Sequence, residues 1–201
     1  MIYVFDLDFT LFDTGKFLTC LPKAMGVAPC VFSATREKYF PEILFSRQYS
    51  GYEHINYLKK DGYIKDSARA RKNIAALFKT IDQYVYPGAD ELLKRLKKPE
   101  NRLVLLTFGN IRWQKAKTAN IRIRKYFNKI IWTDKRKDLA LAFLKKQKEP
   151  AFIINDNARE NLAIKKKLGG RARVILVKSS HSRNAKHNMK EYSFNQILRI
   201  L

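Results

Sequence analysis

Two aspartates spaced i, i+2, Asp6 and Asp8, follow a short apolar run, Ile2-Tyr3-Val4-Phe5, rich in β-branched and aromatic residues. A run of that kind with no turn signal predicts a buried strand that ends in charge. Side chains two apart on an extended chain point to one side, so the carboxylates converge past the strand's carboxyl end if the chain stays extended there. In open α/β sheets that end is where ligands bind. Carboxylates so close repel unless a cation or a shared proton lies between them. A divalent metal is the natural third party.

Three later apolar runs end in further polar groups. Arg102 to Leu106 leads to Thr107, with Phe108-Gly109-Asn110 at a predicted helix start, where free backbone N–H groups favour an anion. Lys129 to Thr133 is followed by Asp134, Lys135, Arg136 and Lys137, a source of fixed positive charge. Ala151 to Ile154 ends in Asn155-Asp156, with Glu160 one helical turn beyond Asp156. Taken singly, these positions also read as an N-cap hydroxyl, solvated helix-start lysines, and an N-cap aspartate with a surface glutamate. Taken together, Asp6, Asp8 and Asp156 can hold one hard cation, while a hydroxyl, backbone amides and a lysine can hold three phosphate oxygens. His54, His181 and His187 lie away from the strand ends and read as surface or cap residues, so no Ser/His/Asp arrangement competes. The sequence has no Walker loop and no dinucleotide fingerprint.

These residues need elements to carry them. From Glu91 the sequence alternates helix and strand: helix 91–97, strand 102–106, helix 110–118, strand 129–133, helix 139–146, strand 151–154, helix 158–168 stopped by Gly169-Gly170, strand 173–177, and an amphipathic helix 192–201. Apolar strands separated by helices imply a mostly parallel sheet covered on both faces, a doubly wound α/β fold. Between Phe17 and Tyr84 the pattern differs. Apolar residues fall at helical spacings, as in Tyr39-Phe40 with Ile43-Leu44 and Ile74 with Leu77-Phe78 and Ile81, punctuated by Pro22, Pro29, Pro41, Gly51 and Gly62. The expected organisation is an α/β core of residues 1–16 and 85–201 with a small α-helical insertion at 17–84. Residues 179–190 are polar and basic, the expected mobile loop.

Composition bounds the function. The 201 residues suffice for one sizeable core and an appendage. No run approaches the roughly 18 apolar residues of a membrane span, and the opening apolar run is too short for a signal peptide. No membrane association and a cytoplasmic location are the expectations. Cys20 and Cys30 make neither a disulfide framework nor a metal-binding spacing. The 41 Lys+Arg against 18 Asp+Glu leave a net charge of +23. Residues 17–84 carry 11 basic and 6 acidic side chains, whereas residues 85–201 carry 29 and 9. A solvated basic surface is one reading of that excess, and a nucleic-acid surface is the other.

The order of these stretches resembles the four motifs of the haloacid dehalogenase superfamily, over nearly the whole chain. Asp6-Leu7-Asp8-Phe9-Thr10 is similar to motif I, Leu105-Leu106-Thr107-Phe108-Gly109-Asn110 to motif II, a lysine at 137 or 135 to motif III, and Ile153 to Glu160 to the acidic motif IV. Tyr86-Pro87-Gly88-Ala89-Asp90 resembles the re-entry point of members with a helical cap inserted after motif I. The resemblance implies a Mg²⁺-dependent phosphatase with Asp6 as nucleophile and Asp8 as acid and base. It further implies Mg²⁺ on Asp6, Asp156 and the backbone carbonyl of Asp8, and phosphoryl oxygens on Thr107, the backbone at Phe108, and Lys137, preferred to Lys135 because it directly precedes the helix. Phe9 stands where many members have glycine, Asn155 where glycine is common, and Glu160 where a second aspartate is usual.

The expected substrate is a small phosphomonoester, with specificity set within residues 17–84 by side chains such as Arg36, Arg47, Tyr49 or Tyr52. A phosphomutase would share the same residues. Family dehalogenases do not keep the second aspartate of motif I, so Asp8 argues against that activity. A basic nucleic-acid-binding or nucleic-acid-end-processing protein is the reading from a different class.

Overall fold

A computed structural model describes residues 1–41, 48–147, 151–179 and 187–201; Ile43, Leu44, Arg47 and His181, singled out above, lie outside the described residues, as do residues 180–186 of the expected mobile loop. In chain order the first elements are β1 (Ile2–Phe5), α1 (Thr14–Met25), α2 (Pro29–Tyr39), α3 (Gly51–Lys60), α4 (Ser67–Lys79), α5 (Ala89–Leu96) and β2 (Arg102–Phe108). After them come α6 (Ile111–Ala119), β3 (Lys129–Thr133), α7 (Lys137–Ala140), β4 (Ala151–Asn155), α8 (Ala158–Leu168), β5 (Ala172–Val177), β6 (Glu191–Tyr192) and α9 (Phe194–Ile200). The chain divides into two compact units. One is Met1–Asp13, Val85–Phe108 and Arg122–Leu201; the other is Thr14–Tyr84 and Gly109–Ile121.

The first unit holds a six-stranded sheet in the order β3-β2-β1-β4-β5-β6, with every pairing parallel. It is the doubly wound α/β fold. Alternate strand residues serve its two faces. On one face Val4, Val104, Leu106, Ala151, Ile153 and Ala172 pack with Leu141, Leu144, Ile164 and Leu168. Tyr3 and Phe5 point the other way, Tyr3 stacking on Phe152 at 5.4 Å and Phe5 meeting Phe127 edge-on at 6.1 Å. Connections leave β1 towards β2 and β3 on one side, while β4 and β5 lie on the other. The chain order therefore reverses between β1 and β4, and the crevice beyond their carboxyl ends is the natural ligand position.

Three details depart from the pattern expected for this unit. The helix expected over 139–146 is the short α7 followed by a 3₁₀ turn, Ala142–Lys146. Leu141 and Leu144 are both buried, and a spacing of three with both side chains inward suits a 3₁₀ turn. The helix expected from Tyr192 begins at Phe194, because Ser193 and Gln196 form a reciprocal capping box. Glu191 and Tyr192 pair instead with β5.

In the second unit, α1, α3, α4 and α6 supply an aromatic core. Phe17 packs on Phe78, Tyr84 and Trp113 at 6.0, 5.3 and 6.3 Å, and Trp113 lies 5.0 Å from Phe78. That packing explains why residues 109–121, expected in the α/β core, cluster with the helices. Gly51 opens α3 directly against the indole: a Cβ there would lie 2.4 Å from Trp113 Cη2. His54, expected as a surface or cap residue, is fully buried. Its Nε2 lies 2.7 Å from Thr35 Oγ1 and its Nδ1 3.2 Å from Tyr49 Oη. Thr35 donates to the Val31 carbonyl at 2.7 Å, so the network assigns a neutral ring that donates from Nε2 and accepts at Nδ1. Burial, with the Arg36 charge adding to it, pulls His54 down to about 4.

Gly51→Ala is expected to destabilise the protein by about 1–3 kcal/mol, the usual cost of overpacking a core, read as a lowered urea midpoint. Because the folded-state pKa of His54 lies below its unfolded value, its neutral form contributes stability that is complete above about pH 6.5 and lost as pH falls towards 4. Urea midpoints measured across that window should decline in the wild type, and His54→Gln should flatten the decline.

Candidate active site

Asp6 follows β1 directly, and its backbone N–H donates to the Ile154 carbonyl at 3.0 Å, continuing the pairing of β1 with β4 for one more residue. Beyond it the chain does not stay extended. The Leu7 carbonyl accepts from the N–H groups of Thr10, Leu11 and Phe12 at 3.3, 2.9 and 3.0 Å, while Phe9 donates to the Phe12 carbonyl at 2.8 Å. This tight loop requires φ +57° at Phe9, a left-handed conformation that a bulky side chain adopts at a cost of about 1–2 kcal/mol. The position taken by Phe9 is one where glycine would be free of strain. Asp8 sits half-exposed in the same loop, within electrostatic range of Asp6.

The loop also folds Thr10 back beneath the aspartates. Thr10 Oγ1 lies 3.1 Å from Asp156 Oδ1 and 3.4 Å from Asp6 Oδ2, and it accepts from the backbone N–H of Asp156 at 3.0 Å. One hydroxyl thus ties the ends of β1 and β4. Its role was not legible in the motif, because it depends on the chain reversing after Leu7.

On the other side of Asp6 stands Lys137, the first residue of α7. Its Nζ is 2.9 Å from Asp6 Oδ1 and 2.7 Å from Glu160 Oε2, and it donates to Asn155 Oδ1 at 3.4 Å. Lys135, the alternative, is exposed, its backbone engaged with the Thr133 hydroxyl. Asn155, the last residue of β4, donates from Nδ2 to Glu160 Oε2 at 3.0 Å and to Asn161 Oδ1 at 3.3 Å. The Asn157 side chain caps α8 by accepting from the Glu160 N–H at 3.1 Å, which sets the first turn that carries Glu160.

Thr107 occupies the end of β2. Phe5 is in register with Leu105, so Asp6 and Thr107 follow at the ends of adjacent strands. The N-cap of α6 is Asn110, whose side chain accepts from the Trp113 N–H at 3.0 Å, so Thr107 caps nothing. Its hydroxyl is fully buried and has no hydrogen-bond partner among the described residues. A buried polar atom left unsatisfied is costly, and such atoms mark places where a ligand supplies the partner. Phe108, next along, ends β2 half-buried.

Burial pushes the Asp6 carboxyl up to about 7. Lys137 opposes that shift, while Asp156, Glu160 and Asp8 add to it. Burial pulls the Lys137 ammonium down, but Asp6 and Glu160 outweigh burial and hold it above its ordinary value. The site therefore carries more negative charge than one lysine offsets, which suits a divalent cation. Among the described residues no three His, Cys, Asp or Glu side chains gather round one metal-sized point. The fitting donor set is two carboxylates, Asp6 and Asp156, completed by backbone oxygen, an all-oxygen set of the kind hard cations take.

The family model for haloacid dehalogenase-like hydrolases matches residues 3–167, and the chain belongs to that family. Its members generally use a divalent metal. No curated protein matches the sequence. Among solved structures, the fold resembles a haloacid dehalogenase-like hydrolase of Burkholderia xenovorans LB400 with a TM-score of 0.73 at 21% identity, over 92% of this chain and 84% of that one. It also resembles a protein of Thermotoga maritima described as a β-phosphoglucomutase, with a TM-score of 0.64 at 17% identity, over 99% and 97%. A third is the L-2-haloacid dehalogenase of Xanthobacter autotrophicus carrying covalently bound chloropropionic acid, with a TM-score of 0.58 at 19% identity, over 90% and 79%. At such identities the likeness is one of fold. Among the described residues no single helix is long and apolar enough to cross a membrane.

With Asp6 buried and its proton affinity raised, ionising it opposes folding as pH rises from about 4 to about 7. In EDTA at pH 7.5, Asp6→Asn is therefore expected to unfold at or above the wild-type temperature. Adding Mg²⁺ should raise the melting temperature of the wild type and not that of the variant.

Proposed function

We propose that the chain hydrolyses a small phosphomonoester by way of an aspartyl-phosphate on Asp6. The observation that carries this reading is the second carboxylate, Asp8, half-exposed in the loop that follows Asp6. A halide leaves as a stable anion and needs no proton, which would give Asp8 no task, whereas an alkoxide leaving group does need one. In the first step an Asp6 carboxylate oxygen attacks phosphorus, and Asp8 in its acid form protonates the departing ester oxygen. Asp8, now a carboxylate, takes a proton from the water that attacks the same phosphorus. Phosphate departs and Asp6 is restored.

The remaining groups meet charge. Lys137 and the Thr107 hydroxyl are suited to the phosphoryl oxygens, together with the backbone N–H at Phe108, and stabilising developing charge is the main lever in phosphoryl transfer. Asp6, Asp156 and the backbone carbonyl of Asp8 would hold Mg²⁺, which when bound supplies further neutralisation of phosphoryl charge. The orphaned Thr107 hydroxyl supports this reading, because a phosphoryl oxygen is the acceptor it lacks.

The test is phosphate release from sugar phosphates, nucleotides, phosphorylated small acids and end-phosphorylated oligonucleotides, each with Mg²⁺ or EDTA. Release should require Mg²⁺. Asp6→Asn should abolish it, and Asp8→Asn should lower kcat by at least about 100-fold, the lower end of what a general acid contributes. Release from oligonucleotides alone would assign the basic surface to the substrate, and no release from any ester would overturn the proposal.

A further inference from the structure

Lys137 has three N–H groups, and its three acceptors among the described residues are Asp6 Oδ1, Glu160 Oε2 and Asn155 Oδ1. Two carboxylates thus share one ammonium. How that charge is divided depends on how firmly each carboxylate is held. Asp6 is buried and fixed at the end of β1. Glu160 reaches Lys137 through a longer side chain that is 19% exposed, and water competes for it. Among the described residues the one other group that holds its carboxylate is Asn155, through Nδ2 at 3.0 Å.

Asn155 is itself immobilised. It is 1% exposed, its Nδ2 also donates to Asn161 Oδ1 at 3.3 Å, and Asn161 Nδ2 donates back to the Asn155 carbonyl at 3.3 Å. Turning the amide over would set its NH₂ against the Lys137 ammonium and its oxygen against two acceptors, leaving buried groups unsatisfied. The amide therefore has one orientation, with oxygen to the lysine and nitrogen to the glutamate.

We infer that Asn155 is a positioning residue for the reaction proposed above, on which this inference rests: it clamps Glu160 onto Lys137, so that Lys137 does not close wholly on the attacking carboxylate of Asp6. Without the clamp Glu160 swings to water and the lysine's charge falls on Asp6 alone. A carboxylate so neutralised is the poorer nucleophile. The loss appears in kcat, and KM changes little because Asn155 does not touch the substrate.

The experiment is a double-mutant cycle of Asn155→Ala and Glu160→Gln, assayed with p-nitrophenyl phosphate and Mg²⁺ below the melting temperature of all four proteins. In the wild-type background Asn155→Ala should lower kcat about tenfold, the equivalent of one hydrogen bond to a charged group, with KM within about twofold. In the Glu160→Gln background the same substitution should change kcat by less than about twofold. Equal losses in both backgrounds would overturn the clamp. Acetic anhydride labelling of Lys137, quantified by mass spectrometry, reads the ammonium without turnover. Labelling should rise several-fold in Asn155→Ala, with no further rise when Asn155→Ala is added to Glu160→Gln; unchanged labelling in Asn155→Ala would also overturn the clamp. Labelling of the expected pattern in a protein that releases no phosphate would uphold the clamp and overturn the phosphatase reading. Phosphate release with equal losses in both backgrounds would do the reverse.

Discussion

A carboxylate buried at the end of the central strand is the constraint around which the α/β unit is arranged. Asp6 is 5% exposed and has β2 on one side and β4 on the other. Removing a charge from water is expensive unless partners replace the lost solvation. The chain meets part of that requirement from separate stretches. Lys137 comes from the start of α7 and Thr10 from the loop after β1, whereas Asp156 brings a second negative charge that works against them. Compensation is incomplete, as the raised proton affinity of Asp6 records. An active site needs that imbalance, because a carboxylate fully satisfied by the protein would have little left to offer an incoming ligand.

Parallel pairing is what allows such distant residues to meet. All the strands point the same way, so each delivers its last residues to one edge of the sheet, and the reversal of chain order between β1 and β4 leaves that edge open where Asp6 and Asp156 stand. Helix starts do the rest. Asn157 fixes the first turn of α8, which aims Glu160 at Lys137, and α7 begins at Lys137 itself, whose side chain is buried. Neighbouring Lys135, two residues earlier, remains outside that turn and faces solvent.

The strands and the residues at their ends were legible because continuous apolar runs bounded by charge have few other meanings. Asp6, Thr107, Lys137, Asp156 and Glu160 all stand on the unit that holds the sheet. What was not legible depended on contacts between stretches remote in the chain. Trp113 reads as one apolar residue on a weakly amphipathic helix, and its packing on Phe17, Phe78 and Tyr52 helps draw 109–121 to the helical unit. His54 looks like a polar residue for the surface until Thr35 and Tyr49 are found on its two ring nitrogens. Asn155 stands in the sequence as a departure from glycine, but its meaning lies in Glu160 and Asn161, whose side chains converge on it only once α8 is folded. The capping box at Ser193 and Gln196 is by contrast a local signal, three residues apart in the sequence.

The register of β1 bears on how the protein is made. Tyr3 pairs with Leu103 on one edge and with Phe152 on the other, so during synthesis this strand precedes its first partner by about a hundred residues and its second by about a hundred and fifty. Contacts so far apart along the chain are slow to form, and an apolar strand with both edges unpaired is the kind of segment that associates wrongly while it waits. The sheet cannot enclose its central strand until Ala151–Asn155 has left the ribosome. Folding of the α/β unit is thus tied to the completion of β4, and a chain stalled before that point would present Ile2–Phe5 to whatever chaperone or neighbouring chain lay nearest.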